Sequence, residues 1–221
     1  MRLARLSLLL LAPLWGCSSS LSGSPHTTSD AGSGSGVIDG GPGGVKNVVV
    51  THPSSPPIAP ASECTVTTEE ASYTEGPHVP VCSTIAYPHN PPMTGAHYAV
   101  WADYKEYDAP VPWGFLVHSM EHGGVVLAYS CTNCSEVRTG FENIAAALPA
   151  DPMCATGQHR VVIVPAPDLD VPVAAIAWGV SYKATCLDEP SLTQWVTDHY
   201  AHGGEDTCAP GQDLSAQGWC P

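Results

Sequence analysis

The stretch Gly124-Val125-Val126-Leu127-Ala128-Tyr129, followed across Ser130-Cys131-Thr132-Asn133-Cys134 by Ser135 to Leu148, decides the fold. Its first half is an unbroken apolar and β-branched run, which reads as a buried strand. In its second half Val137, Phe141, Ile144, Ala145 and Leu148 recur at helical spacing, and Pro149 stops the pattern. Arg160-Val161-Val162-Ile163-Val164 reads as a second buried strand, and Val173 to Tyr182, with Trp178-Gly179 inside it, as a third. Ser191 to His202 reads as a second helix carrying Leu192, Trp195, Val196 and Tyr200, with Gly203-Gly204 as its stop. The order strand, helix, strand, strand, helix predicts an α+β fold: a small, mostly antiparallel or mixed sheet with two helices on one face.

Upstream, Cys64 to Cys82 is polar and reads as irregular chain or an edge strand. Tyr87 to Pro112 is rich in prolines and aromatics and reads as an ordered loop with fixed turns. Residues 1–16 read as a signal peptide: Arg2 and Arg5 precede a short apolar run, Leu6 to Leu14, too short to span a bilayer. Leu14-Trp15-Gly16-Cys17 has the form of a bacterial lipobox, which makes Cys17 the lipidated first residue of the mature chain. The expected partner is therefore the membrane, through lipid on Cys17. Ser18 after the cysteine favours the outer membrane of a two-membrane bacterium. Residues 17–62 read as a Gly/Ser/Pro-rich tether with too little apolar surface to offset its ordering entropy, although Val48-Val49-Val50 could add an edge strand. Residues 63–221 form one globular domain on this reading.

The chain carries a formal charge of −14, and beyond the signal its cations are Lys46, Lys105, Arg138, Arg160 and Lys183. No basic patch exists to release counterions, which excludes nucleic acid as the expected partner. Eight cysteines follow Cys17, and in an exported domain they read as up to four disulfides of unassigned pairing.

The densest chemistry lies just before the first strand, in Val117-His118-Ser119-Met120-Glu121-His122-Gly123-Gly124, with His97 upstream. His118-x-x-Glu121-His122 matches an inverted zinc-protease motif by letter. That motif needs a long helix, and Gly123-Gly124 followed by a strand argues against one. A different metal site would gather His97, His118, Glu121 and His122, with Met120 adding a thioether that suits copper; zinc is the other choice. The two histidines of the motif approach each other only if the segment is helical, since in a strand they lie roughly 13 Å apart. The competing reading is a buried polar network in which Glu121 holds a loop against the sheet. Cys131 and Cys134, between a strand and a helix, form a further alternative: a thiol-disulfide redox pair whose first thiol is acidified by the helix N-terminus. No nucleophile elbow and no phosphate-cradling loop is present, so no catalytic residue is assigned.

Several motifs occur together: Asn90-Pro91-Pro92-x-x-Gly95-x-His97-Tyr98, Trp101, Tyr107-x-x-Pro110-Val111-Pro112, Val117-His118-Ser119-x-Glu121-His122-Gly123-x-Val125, Val164-Pro165 and Ala177-Trp178-Gly179. In these the chain resembles the bacterial family called domain of unknown function 3105, over about Tyr87 to Tyr200. The resemblance implies an exported or membrane-tethered protein with His97, Tyr98, His118, Glu121, His122 and Trp178 as signature positions. It brings no reaction. Met93, Met120 and the Cys131–Cys134 pair depart from the family pattern.

Overall fold

In strands β7 (Val125–Tyr129) and β8 (Val161–Pro165), successive side chains enter two different apolar layers, as the period of two requires. Val125, Leu127 and Tyr129 face one layer, while Val126 and Ala128 face the other. Both faces of the sheet therefore need cover, and the computed structural model shows how each is covered. It describes residues 38–41, 43, 45–51, 64–72, 74–216 and 218–220. The signal segment 1–16, Cys17 and much of the tether lie outside the described residues.

The main sheet has six strands in the order β2-β3-β10-β9-β7-β8. Strands β2 (Val45–Thr51), β3 (Val66–Ala71), β9 (Val173–Ala177) and β10 (Val180–Ala184) join β7 and β8. All its pairings are antiparallel except β7 with β8, where helix α2 (Ser135–Ala147) supplies the crossover that a parallel pair requires. On one face lie α2 and α3 (Glu189–His199), through Val137, Phe141, Ile144, Leu192 and Val196. Each such fully buried large apolar side chain contributes about 1.5–3 kcal/mol. This is the expected α+β fold with two helices on one face.

Four details differ from the sequence reading. A third helix, α1 (Trp113–Glu121), covers the opposite face through Phe115, Leu116 and Met120 against Val126, Ala128 and Ile176. Its residues 114–120 are all buried, so the alternation that marks a surface helix is missing from its sequence. Second, Val173 to Tyr182 is a hairpin, not one strand: Trp178-Gly179 is its two-residue turn, with Gly179 at φ +78°. Third, two stretches of the segment read as tether are strands. Strand β2 is the edge of the main sheet, as Val48-Val49-Val50 suggested, and β1 (Ile38–Asp39) pairs with β5 (Ile85–Ala86). Strand β3, read as irregular or an edge, lies inside the sheet between β2 and β10.

Four disulfides join Cys64 to Cys186, Cys82 to Cys220, Cys131 to Cys134 and Cys154 to Cys208. Three of them close long loops, and Cys82–Cys220 ties down the C-terminal tail. Four bridges in one domain fit an oxidising compartment. No helix among the described residues is long and apolar enough to cross a membrane.

Candidate functional site

Helix α1 brings His118 and Glu121, three residues apart, to one side. It begins after Pro112, whose missing N–H costs nothing at a helix start. It ends in a Schellman motif: the Gly124 N–H donates to Ser119 O at 3.0 Å and the Gly123 N–H to Met120 O at 2.9 Å. Gly123 sits at φ +83°, a backbone state that glycine enters without penalty. The Gly-Gly pair thus terminates a short helix rather than forbidding one. His97 comes from β6 (His97–Tyr98), and β4 (His78–Val79) lies parallel to it with His78 in register with His97.

Four side chains converge. One ligand atom from each of His78, His97, His118 and Glu121 lies within 4.8 Å of all the others. The hydrogen bonds at the far side of two rings fix their tautomers. His97 Nδ1 donates to Gly95 O at 2.8 Å and His118 Nδ1 donates to Tyr98 O at 2.6 Å, since a carbonyl can only accept. In the neutral rings both Nε2 atoms then carry lone pairs: that of His97 faces Glu121, and that of His118 accepts from His122 Nε2. His97 Nε2 lies 3.0 Å from Glu121 Oε2, close enough for a hydrogen bond. Yet this buried nitrogen has no partner that meets the angular requirement of one. His118 Nε2 lies 3.1 Å from His122 Nε2. His78 Nε2 is 3.9 Å from Glu121 Oε2, and its ring stacks on His118 at 4.7 Å between centroids.

Electrostatics keep the His118 ring unprotonated and the Glu121 carboxyl ionised. Burial, then the neighbouring rings of His122, His97 and His78, lower the His118 pKa to about 4, although the bond to Tyr98 O opposes this. Burial alone would raise the Glu121 carboxyl, but His97 first, then His118 and His78, bring it below the ordinary value. His122 is lowered as well, by burial, against the opposing pull of Glu205 and Glu121. A histidine depressed in the fold binds its proton more weakly than in the unfolded chain. Above pH ~6.5 both states are neutral and nothing is lost; as pH falls from there toward 4 the unfolded state gains protons first. Metal-free protein should therefore lose about 2 kcal/mol of stability between pH 7 and pH 5 through His118 alone. Denaturant midpoints at the two pH values, with and without His118→Gln, measure it. Equal pH dependence in both proteins would contradict this assignment.

Around the four, a polar frame fixes the end of α1. Arg160 donates from Nε to Asp151 Oδ2 at 2.8 Å, and its guanidinium reaches His122 O at 3.0 Å and Asp206 Oδ1 at 2.6 Å. The Glu205 N–H donates to Glu121 O at 2.8 Å, and Glu205 Oε2 lies 3.3 Å from His122 Nε2. Trp101 packs against His118 and His122, and Trp178 meets His97 edge-on at 5.9 Å. Gly203 lets this loop approach: a Cβ there would sit 2.1 Å from Glu121 O and 2.3 Å from Gly123 N. Both are backbone atoms that cannot step aside, so Gly203→Ala should cost about 1–3 kcal/mol, read as a lowered melting temperature.

His97, His118 and Glu121 thus come together as the sequence suggested, and His122 touches His118. Met120 does not share their setting. One residue along a helix turns the side chain by about 100°, and Met120 is fully buried among the apolar side chains facing the sheet. Cys131 and Cys134 are bonded to each other at the N-terminus of α2. His78 was not found from the sequence. Its partners lie far along the chain, and its one local signal is an extended Gly76-Pro77-His78-Val79-Pro80 segment that aligns beside His97 only through strand pairing.

Comparison with known sequences and structures completes the picture. No curated protein and no solved structure matches this chain. A family model described as "Protein of unknown function (DUF3105)" matches residues 78–212. The match begins at His78 and contains all four converging side chains, along with His122, Trp178 and Glu205. The chain belongs to the DUF3105 family, and the histidine-glutamate cluster lies wholly within the part of it that the family shares.

Proposed function

We propose that this domain binds a divalent transition metal ion, zinc or copper, through His78, His97, His118 and Glu121. One observation carries the reading: one ligand atom from each of His78, His97, His118 and Glu121 lies within 4.8 Å of the others, and His97 and His118 are each tied through Nδ1 to a backbone carbonyl. Imidazole and carboxylate lone pairs gathered in a protein interior are costly unless a proton or a metal cation lies between them. Imidazoles that donate their outer N–H to backbone carbonyls are the usual support of metal-binding histidines. Three imidazoles and one carboxylate suit a divalent ion of the zinc or cupric kind. With Met120 in the apolar layer, the thioether argument for cuprous copper loses its donor. The ion would supply positive charge and Lewis acidity; the protein's residues position it and exclude water from two of its ligands.

The test is calorimetric titration of chelator-stripped protein with zinc and with cupric ion. One ion per chain is expected for each metal. Absence of saturable binding would refute the proposal.

The lipobox at Cys17 and the acidic, disulfide-rich domain behind it support a second element of the reading. The domain acts outside the cytoplasm, held to a membrane by lipid on Cys17, with the outer membrane as the favoured site. A Cys17→Ala variant expressed in a two-membrane bacterium should move from the membrane fraction to the soluble one. Unchanged membrane retention would remove this element.

A further inference from the structure

The four ligands are not held alike. His97 is fully buried and His118 is 3% exposed, and each ring is tied by Nδ1 to a backbone carbonyl. The Glu121 side chain is 14% exposed, and its backbone is fixed by the end of α1 and by the Glu205 N–H. The His78 side chain is 51% exposed and stands on a strand of two residues. Among the described residues no hydrogen bond reaches its ring; it is held by stacking on His118, an edge contact with His97 at 4.9 Å and a 3.9 Å approach to Glu121 Oε2. Two imidazoles are thus tied from behind and Glu121 is held through its backbone, while His78 is the one that faces solvent.

Two buried imidazoles and a carboxylate that hold a metal while leaving positions free make up an open site. A divalent ion beside Glu121 and neutral imidazoles keeps a net positive charge. That charge favours an incoming anion over a neutral donor. We infer that the coordination position of His78 is exchangeable and that the centre takes up a small monodentate anion there from solvent. This rests on the metal reading above. In the exchange the bond from the metal to the His78 nitrogen breaks and one from the metal to the anion forms. The imidazole leaves as a neutral ring, and no electron changes hands.

The experiment uses cupric ion as the metal and azide as the anion, with wild type, His78→Ala and His97→Ala proteins. His78→Ala should keep the metal with less than about tenfold loss of affinity, while His97→Ala should lose at least about a hundredfold. Azide should give a charge-transfer band in wild type and, with no imidazole to displace, at an at least about tenfold lower concentration in His78→Ala. In wild type, pulsed electron paramagnetic resonance should show one fewer coordinated imidazole once azide is bound; this reading does not depend on any variant folding. Equal losses of affinity in the two variants, equal azide midpoints, or an unchanged imidazole count would each overturn the inference while leaving the metal site standing. A wild-type protein that takes up no copper would overturn both.

Discussion

Replacing His97 by alanine should weaken zinc or cupric binding by at least about a hundredfold, more than the loss of a supporting residue behind a ligand costs. The size follows from the position. His97 is fully buried, its tautomer is set by Gly95 O, and its Nε2 lies 3.0 Å from Glu121 Oε2. Without it, Glu121 loses the group that most favours its ionised form, and a bound ion would lose one of its imidazole donors. His97→Gln is the useful companion, because it keeps volume without placing a nitrogen lone pair at the Nε2 position. Both variants should bind weakly and should melt within a few degrees of metal-free wild type. A loss of fold in both, with metal binding intact in whatever fraction folds, would support the buried polar network instead, with His97 and Glu121 as a structural pair.

The largest effect on stability is expected at Arg160, which lies outside the ligand set. Its guanidinium is almost fully buried beside Asp151, whose side chain is 3% exposed and also accepts from the Tyr200 hydroxyl at 2.9 Å. Truncating one partner of such a pair leaves the other as an uncompensated buried charge, at about 3–5 kcal/mol. Arg160→Met should therefore lower the melting temperature by about 10 °C in a domain of this size. It also removes the donor to His122 O and the link to Asp206, so the end of α1 loosens. Adding Asp151→Asn should recover at least about 1 kcal/mol by removing the orphaned charge. If the double variant is no more stable than Arg160→Met, the cost lies in lost packing and not in the charge. Metal affinity should fall far less than in His97→Ala, since none of the four ligands touches Arg160.

How much of this was legible in the sequence depends on whether a residue's neighbours are local. Strands β7 and β8 and helices α2 and α3 announce themselves by continuous apolar runs or by one-sided helical spacing, because each buries one stripe or one strand. Helix α1 does not, since it is covered on all sides and its apolar residues carry no period. Its Gly123-Gly124 stop looked like an argument against a helix, yet it is the αL cap that ends one. The hairpin at Trp178-Gly179 was hidden because apolar β9 runs into Val180 of β10 across a turn of only two residues. In the site, His118, Glu121 and His122 are neighbours in sequence, and His97 stands in a distinctive Pro-rich motif. His78 enters only through pairing of β4 with β6 across 19 residues of chain, a contact that no local pattern encodes. Met120 reads as a ligand because it lies between His118 and Glu121, but on a helix adjacent positions point in different directions.

X-ray absorption of the zinc-loaded protein at the zinc edge measures the central claim most directly. The expected first shell is three imidazole nitrogens and one carboxylate oxygen, at distances of about 2.0–2.2 Å, with one imidazole fewer in His97→Ala. A shell dominated by water oxygens, by sulfur, or unchanged on loss of His97 would contradict it.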